Sequence, residues 1–255
     1  MLLAVDVGNT QTALGLFAGR DLAGNWRFAT DIGKTADEIA VLIDGLLHLD
    51  GFSRDSVTGL ALASVVPRLR NEYAAMASNK FDLEALVVGP GVKTGMPVLT
   101  NDPRQVGPDL IVDAVAAHDA YGGPCIAVDF GTATTFSAVS ADGEYLGHAI
   151  APGIEVSLDA LARRAARLVK IELADPGSVI GKSTVHAMQA GALYGFAGQV
   201  DGIVTRMRSE IGAAAVTVAT GGLAHLVFDH SSTLDYLDPL LTLKGLEIIH
   251  RRNLA

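Results

Sequence analysis

Two apolar segments of the chain each end in a carboxylate followed by a glycine, and this pattern suits phosphate chemistry. Asp6 and Gly8 end the first segment, and Asp129 and Gly131 end the second. Glycine lets backbone N–H groups approach an anion closely. A carboxylate beside a phosphate is favourable only where a cation such as Mg²⁺ lies between the two negative charges. The sequence therefore predicts two phosphate-facing hairpins, and the alternative is two ordinary strand ends with Asx turns.

The two segments belong to an internal repeat. With an offset of 123 residues, which is the distance from Asp6 to Asp129, six residues of the first copy meet identical residues in the second: Ala4, Val5, Asp6, Gly8, Thr12 and Gly24. Each copy continues with a second strand and a hairpin turn, at 18–20 and at 141–143. A third strand end carries Thr220-Gly221-Gly222. Two such hairpins facing one cleft would hold a nucleotide from both sides.

Alternating strand and helix patterns surround these segments and predict an α/β protein. Apolar spacing predicts helices over 35–49, 109–121, 155–168, 184–211 and 239–252, and strands over 59–66, 85–88 and 215–219. Thr35 and Glu38 have the spacing of a capping box at the start of the first helix. Gly122-Gly123-Pro124 interrupts the pattern, so we expect two domains, 1–120 and 121–255.

The helix expected over 184–211 carries four glycines at steps of three and four residues, which place them on one face: Gly191, Gly195, Gly198 and Gly202. Small residues on one face let another backbone approach closely. The partner is either another element of the same chain or the same helix of a second copy.

Composition and charge exclude several classes of protein. The formal net charge of −9 gives no general attraction to nucleic acid or to anionic membranes. A single cysteine, Cys125, excludes an internal disulfide framework. The first residues lack the basic region of a signal peptide, and no uninterrupted apolar stretch reaches the roughly 18 residues of a membrane span. We expect a cytoplasmic protein that binds neither nucleic acid nor membrane.

Several further sequence motifs narrow the prediction from a fold class to one protein family. They are DVGNTQT at 6–12, NDPRQVGPD at 101–109, DFGTATTF at 129–136, IAPG at 150–153, GKSTVHAMQAGALYGFAGQVDGIV at 181–204, ATGG at 219–222 and LDPLLTLKGL at 237–246. The repeated hairpins resemble those of the actin, sugar-kinase and heat-shock ATPase superfamily. The whole set, which runs in order over nearly the entire chain, resembles the type III pantothenate kinases.

The resemblance implies a fold, an activity and its partners. The fold is two tandem actin-like (ribonuclease H-like) domains with a nucleotide cleft between them. The activity is ATP-dependent phosphorylation of pantothenate to 4′-phosphopantothenate, the first step toward coenzyme A. The resemblance also implies Mg²⁺, a monovalent cation such as K⁺ or ammonium (NH4⁺), and a homodimer in which each active site borrows residues from the partner.

Roles for individual residues follow from the same resemblance. Phosphoryl transfer depends on alignment and charge neutralisation, and Asp109 would act as the general base toward the pantothenate hydroxyl. Its position would also suit a helix N-cap. Asp129 would bind the monovalent cation, and Asp6 would hold Mg²⁺ directly or through water. The ATP-binding residues would be Asp6, Val7, Gly8, Asn9, Thr10, Gln11, Thr12, Ala13 and Thr132. The substrate-binding residues would be Thr100, Gly107, Pro108, Asp109, Leu110 and, across the dimer interface, Thr184.

The substrate side departs from the family pattern at two of these positions. Leu110 stands where the family has Arg, and Thr100 stands where Tyr is frequent. A charge-assisted hydrogen bond contributes about 1.5–3 kcal/mol, and Leu supplies none of it. Two alternatives therefore stay open beside the kinase. One is a degenerate homologue, weakly active or inactive, that binds nucleotide and acts by regulatory contact with a partner. The other is a kinase for another small hydroxylated substrate.

Overall fold

The fold was examined in a computed structural model that describes residues 1–165 and 168–254. In chain order its elements are β1 (Leu2–Val7), β2 (Gln11–Ala18), β3 (Asp21–Ala29), α1 (Ala36–Leu49), β4 (Gly59–Ser64), α2 (Pro67–Phe81), β5 (Ala85–Val87), α3 (Pro108–Tyr121), β6 (Cys125–Phe130), β7 (Ala133–Val139), β8 (Tyr145–Pro152), α4 (Ile154–Arg164), α5 (Thr184–Ile211), β9 (Val216–Thr220), α6 (Ala224–Phe228), β10 (Tyr236–Leu237) and α7 (Leu241–Asn253). Short 3₁₀ turns cover Arg54–Ser56 and Pro103–Gln105.

The described residues form two compact units. Unit 1 comprises residues 1–96, 101–116 and the C-terminal residues from Thr242, and unit 2 comprises 97–100 and 117–241. The boundary between the units therefore falls inside α3 and at the first residue of α7. The expected division of the chain after residue 120 stays a prediction.

Each unit contains one five-stranded mixed sheet, and the two sheets have the same topology. The strand order is β3-β2-β1-β4-β5 in unit 1 and β8-β7-β6-β9-β10 in unit 2. In both, the first three strands are antiparallel and the remaining pairs are parallel. The α/β class with two tandem sheets is thus confirmed.

The offset of the sequence repeat is visible in the strands themselves. Strand β6 (Cys125–Phe130) begins and ends 123 positions after strand β1 (Leu2–Val7). Both long hairpins also contain a bulge, and the residues that the pairing skips, Ala23 and Leu146, are again 123 positions apart. The repeated glycines at 24 and 147 directly follow these bulges. An extra residue in one strand bends the strand and increases its twist, so the repeat preserves the shape of the hairpin as well as its sequence.

Alternating apolar residues of the central strand bury one face of each sheet. In unit 1, Leu3 and Val5 of β1 pack in the core with Ile39 and Ile43 of α1. These α1 residues are four positions apart and share one helix face. In unit 2, the matching core combines Ile126, Val128 and Phe130 of β6 with Leu193, Ala197 and Val200 of α5. The central strand that ends in the carboxylate is therefore fixed by its apolar residues.

Most of the predicted elements are confirmed to within one or two residues. The helices predicted over 35–49, 109–121 and 184–211 correspond to α1, α3 and α5, and the Thr35–Glu38 capping box is present. The strand predicted over 59–66 ends at Ser64, because Val66 caps a helix that begins at Pro67. The helix predicted over 155–168 ends at Arg164, and residues 166 and 167 of that prediction lie outside the described residues.

Helix α2 was missed at the sequence level, although a signal for it exists. Its buried residues Leu69, Tyr73, Met76 and Ala77 follow helical spacing. Pro67 stands at the first helical position, which proline favours.

In the described residues, no helix is both long enough and apolar enough to cross a membrane.

Candidate active site

The first hairpin turns tightly directly after the Asp6 carboxylate. Asp6 is the last residue but one of β1, is half-buried, and pairs with Ala13 of β2 and Ala63 of β4. The Gly8 N–H donates to the Gln11 carbonyl over 3.0 Å. A Cβ atom at Gly8 would lie 3.0 Å from that same oxygen, so the turn suits glycine. The exposed part of the turn consists of residues 9–11.

Thr12 lies at the buried base of this hairpin. Its side chain is 1% exposed, and its hydroxyl lies 2.9 Å from the Thr30 hydroxyl. It also shares a hydrogen bond with Tyr73 of α2. Burial raises the pKa of Tyr73 to about 12, and this hydrogen bond partly opposes the rise. The Thr12 hydroxyl therefore stabilises the hairpin against α2, and sequence reasoning did not anticipate these two partners.

In the second hairpin, glycines surround the Asp129 carboxylate. Asp129 pairs with Thr220 at the end of β9, and the next residue, Gly221, has φ +93°. A Cβ at Gly221 would lie 2.3 Å from Asp129 Oδ1, and a Cβ at Gly131 would lie 3.3 Å from Asp129 Oδ2. The Thr220-Gly221-Gly222 motif thus lies directly beside the carboxylate of the second hairpin, where any side chain at 221 would overlap it.

Thr132 lies in the turn of the second hairpin, and a third glycine supports that turn. Thr132 is exposed, and its carbonyl accepts a hydrogen bond of 3.1 Å from the Gly153 N–H. A Cβ at Gly153 would lie 2.4 Å from the carbonyl oxygens of both Gly131 and Thr132. Gly153 closes the IAPG motif, and its close packing against the turn explains why that motif ends in glycine.

Asp109 lies in the first turn of α3. The helix begins at Pro108, and the Gly107 carbonyl accepts from the Ile111 N–H, so Gly107 occupies the cap position. The N-cap alternative for Asp109 is therefore wrong. Asp109 Oδ1 accepts a hydrogen bond of 2.9 Å from the Leu110 N–H. A Cβ at Gly107 would lie 2.3 Å from the same oxygen, so glycine at 107 leaves room for the carboxylate.

The two positions that depart from the family pattern are both withdrawn from solvent. Leu110 is 6% exposed and packs inside unit 1. Thr100 follows a short segment that extends the edge of the second sheet: the Leu99 N–H donates to the Tyr145 carbonyl over 2.9 Å. The hydroxyl oxygen of Thr100 is buried and has no hydrogen-bond partner. Neither position brings a charged group.

Thr184 opens helix α5 beside an apolar cavity. It is exposed, and the preceding residue, Ser183, caps the helix by accepting from the His186 N–H over 3.2 Å. A cavity of about 500 Å³ between α4 and α5 is lined by Thr184 together with apolar side chains such as Leu158 and Met188. Thr184 is therefore available at the rim of an apolar hollow of unit 2.

Three glycines of α5 form an open strip. Added Cβ atoms at Gly191, Gly195 and Gly198 would meet no atom of the described chain within 4 Å. The reading in which this glycine face packs against another element of the same chain is therefore wrong for these three positions.

The comparisons with known proteins place the chain in a family. The model of type III pantothenate kinases matches residues 2–206. The chain belongs to the type III pantothenate kinase family. A protein named type III pantothenate kinase from Moorella thermoacetica is 53% identical over 253 residues, covering 99% of this chain and 100% of the relative. One of the same name from Acidothermus cellulolyticus is 54% identical over 256 residues, covering 99% of each.

A solved structure supports the fold of this type III pantothenate kinase family member. The inorganic polyphosphate/ATP-glucomannokinase from an Arthrobacter species superposes with a TM-score of 0.52 at 13% identity, covering 98% of each chain. Identity this low indicates a shared fold and nothing about substrate.

Proposed function

We propose that the protein transfers the terminal phosphoryl group of ATP to the hydroxyl of pantothenate and so yields 4′-phosphopantothenate, the first step toward coenzyme A. The observation that carries this proposal is the match of the whole chain, at 53% identity, to a relative named for this activity. The repeated sheet, with a carboxylate as the last residue but one of each central strand (Asp6 and Asp129), supports the nucleotide-binding half of the proposal.

The first hairpin would bind the ATP phosphates through its turn. The turn residues Asn9, Thr10 and Gln11 are exposed and supply backbone and side-chain donors. Val7, Gly8 and Ala13 would hold the shape of the turn, and Thr12 would do so through its buried hydroxyl. Thr132, exposed in the second hairpin, would contact the nucleotide with its own hydroxyl.

Asp109 would accept the proton of the attacking hydroxyl. A general base must come within about 2.6–3.2 Å of that proton's oxygen in the substrate complex. Asp109 lies in the first turn of α3, half-buried, with one carboxylate oxygen engaged by the Leu110 N–H. This bond orients the carboxyl group. Gly107 and Pro108 would border pantothenate, Thr100 and Leu110 would supply apolar contact to it, and Thr184 would contact it across a homodimer interface.

The residues present suit two kinds of cation. In the described part of the chain, no three His, Cys, Asp or Glu side chains converge as a metal-binding group, so an all-protein cage for Mg²⁺ does not fit. Mg²⁺ fits as the partner of ATP, because it commonly uses one or two carboxylates, water and phosphates, and Asp6 would hold it, most simply through water. Asp129, whose carboxylate the backbones of Gly221 and Gly131 approach closely, would hold the monovalent cation, K⁺ or ammonium. Such cations would neutralise phosphate charge.

A homodimer through α5 is supported by the open glycine strip at Gly191, Gly195 and Gly198. Leu161, a large apolar side chain that lines the same hollow as Gly191, is 44% exposed. Apolar side chains beside small residues are a suitable surface for a second copy of the helix.

The cytoplasmic location of the protein stays a prediction.

Two other functions remain testable against the kinase. A regulatory, nucleotide-binding homologue without turnover is favoured by Leu110, which brings no charge to the substrate side. A kinase for another small hydroxylated acceptor is favoured by the same substitution, because a carboxylate acceptor gains nothing from a leucine.

The test is a coupled assay with pantothenate, MgATP and K⁺, run on the wild-type chain and on Asp109→Asn. The wild type should release ADP only when pantothenate is present. Loss of the general base should lower kcat by about 10²–10⁴-fold, with the same thermal unfolding temperature as the wild type. Asp102→Asn is the matched control, because it removes a nearby carboxylate that bonds only to its neighbours Arg104 and Gln105.

Each alternative has its own outcome in this assay. Nucleotide binding without turnover on pantothenate or on a panel of small alcohols would favour the regulatory homologue. Turnover on another alcohol alone would favour the different acceptor. Full activity in Asp109→Asn would remove Asp109 from its assigned role.

A further inference from the structure

One face of helix α5 carries two charged residues that hold the same segment of unit 2. Asp201 and Arg208 are seven positions apart, which is close to two helical turns and places them on one face. Asp201 contacts residues 231–233, and Arg208 contacts Thr233 and Asp235. This segment, Ser231–Asp235, connects α6 to β10.

Asp201 accepts an unusually large number of hydrogen bonds from the segment. Its Oδ1 accepts from Ser231 Oγ at 2.6 Å, from the Ser232 N–H at 3.0 Å, and from the N–H and Oγ1 of Thr233 at 3.2 and 3.0 Å. Its Oδ2 accepts from Ser232 Oγ at 2.8 Å and from the Ser232 N–H at 3.2 Å. Partial burial opposes ionisation of Asp201, but these hydrogen bonds outweigh it and keep its pKa below the ordinary value. The carboxylate is therefore a fixed anchor for three consecutive residues.

The anchored residues are continuous with helix α6. The His230 N–H donates to the Val227 carbonyl over 3.0 Å, and the Ser231 N–H donates to the Phe228 carbonyl over 3.3 Å. Helix α6 has only five residues, and a helix this short is not stable by itself. Its apolar side packs in the core, with Ala224 and Val227 at 0% exposure. Asp201 holds its C-terminal end.

The other end of α6 leads directly to the glycine beside Asp129. The Ala224 N–H donates to the Gly221 carbonyl over 3.4 Å. Gly221 is in turn so close to Asp129 that a Cβ there would lie 2.3 Å from its Oδ1. The position of Gly221 thus depends on β9 before it and on α6 after it.

We infer that Asp201 is a positioning residue for the nucleotide: by anchoring residues 231–233, it fixes α6 and through α6 the Thr220-Gly221-Gly222 turn against Asp129. This inference rests on the proposed function, because it assigns Asp201 to the nucleotide half of that site. Asp201 acts through other residues and does not itself contact the nucleotide.

The contacts of Arg208 make it a useful contrast. Its guanidinium donates to the Ala215 carbonyl, to Thr217 Oγ1 and to Asp235 Oδ2, over 2.9, 3.1 and 2.6 Å. These partners belong to the start of β9 and the approach to β10. Arg208 also donates to the Thr233 carbonyl over 3.2 Å, its one bond to residues 231–233. Arg208 therefore mainly stabilises the sheet edge, and Asp201 supplies most of the hydrogen bonds to residues 231–233.

The test compares Asp201→Asn with Val204→Ala, a core change on the same helix at a residue with 0% exposure. Asn has one acceptor oxygen in place of two and turns its amide N–H₂ toward Ser and Thr donors. We expect Asp201→Asn to weaken MgADP binding about tenfold, which is about 1.4 kcal/mol, measured by calorimetry well below both unfolding temperatures. Amide exchange at 221–224 should accelerate in this variant. Val204→Ala should lower the unfolding temperature and leave the MgADP affinity within twofold of the wild type.

The outcomes separate this inference from the proposed function. Failure of the wild type itself to bind MgADP would overturn the nucleotide site as a whole. Normal binding by the wild type, with Asp201→Asn within twofold of it and slow exchange at 221–224, would overturn the role of Asp201 alone. A double variant, Ser231→Ala with Ser232→Ala, should reproduce the effect of Asp201→Asn, since it removes two of its donors.

Discussion

The two sheets share their topology and the position of the carboxylate in the central strand, but they differ in what lies beside each carboxylate. Asp6 pairs with Ala63 of β4, and the next residue is Ser64. Asp129 pairs with Thr220 of β9, and the next residue is Gly221. Ser64 Oγ accepts a hydrogen bond of 3.1 Å from the Val66 N–H and so shapes the entry to α2. Gly221 instead presents bare backbone beside Asp129.

This difference shows how one repeated scaffold can support two kinds of polar site. The backbone of the strands is conserved between the copies because the apolar residues of the central strand fix it. The surroundings of the carboxylate differ through a single residue that follows the neighbouring strand or ends it. The serine hydrogen-bonds to the residue that precedes a helix, and the glycine lets the backbone pack directly against the Asp129 carboxylate.

The threonines at the base of the two hairpins also differ in the surroundings of their hydroxyl groups. By strand pairing, the counterpart of Thr12, which lies opposite Val7, is Thr134, which lies opposite Phe130. Thr12 is 1% exposed and bonds to Thr30 and Tyr73, whereas Thr134 is 0% exposed and its hydroxyl has no hydrogen-bond partner among the described residues. The first hairpin is therefore tied into its unit through a hydroxyl network.

The largest effect is expected from exchanging the residues beside the two carboxylates. Gly221→Ser introduces a side chain 2.3 Å from Asp129 Oδ1 at φ +93°; the backbone strain alone costs about 1–3 kcal/mol. We expect a lower unfolding temperature and loss of MgADP binding by more than tenfold. Ser64→Gly, the reciprocal change, should cost only about 1 kcal/mol of stability, because it removes the hydrogen bond between Ser64 Oγ and the Val66 N–H. Thermal unfolding with and without MgADP measures both.

Equal losses of stability and of MgADP binding in Gly221→Ser and Ser64→Gly would contradict the difference drawn between the two carboxylate sites. Unchanged MgADP affinity in a folded Gly221→Ser variant would show that the close packing of Gly221 against Asp129 does not serve the nucleotide or its cation.

A smaller effect is expected from removing the equivalent hydroxyls. Thr12→Val leaves the buried Tyr73 hydroxyl and the Thr30 hydroxyl without this partner, which should lower the free energy of unfolding by about 1–3 kcal/mol. Thr134→Val removes a buried hydroxyl that has no partner among the described residues, so it should leave the free energy of unfolding unchanged or raise it. Urea unfolding at pH 7 measures both. A larger loss in Thr134→Val would reverse the assignment of the hydroxyl network to the first hairpin.

Two buried weakly acidic groups, the Tyr73 hydroxyl and the Cys125 thiol, are expected to have the smallest effect on stability at neutral pH. Their effect should grow as the pH becomes alkaline. Burial raises the pKa of Tyr73 in unit 1 from 10.0 to about 12, with the Thr12 hydrogen bond opposing it, and burial raises the pKa of Cys125 in unit 2 from 9.0 to about 12. A folded pKa above the unfolded value gives stability that is complete below the unfolded pKa and is lost as the pH rises toward the folded one. Stability should therefore fall from about pH 9 through Cys125 and from about pH 10 through Tyr73.

Two variants separate these contributions. Cys125→Ala should flatten the stability profile from pH 9 upward, and Tyr73→Phe should flatten it only above pH 10, in urea unfolding between pH 7 and pH 11. A profile that is equally steep in both variants and in the wild type would mean that neither group titrates in this range.

Local patterns predicted the elements well wherever the chain itself carries the signal. The spacing of apolar residues identified α1 and α5, and the Thr35–Glu38 pair identified the start of α1, because both depend on residues within one or two helical turns. The same kind of signal existed for α2 but was weaker, since only four of its fifteen residues are buried.

The repeat and the motifs, read from the sequence alone, determined that this chain is an α/β protein with two copies of one sheet and that it belongs among the type III pantothenate kinases. Tertiary structure alone decided that Thr12 is buried, that Asp109 lies inside a helix rather than at its cap, and that Gly221 lies against Asp129. It also decided that Asp201 anchors residues 231–233. The physical reason is distance along the chain: Gly221 and Asp129 meet because β9 pairs with β6, and strand pairing between remote segments is set by the packing of the whole unit and leaves no mark in the local sequence.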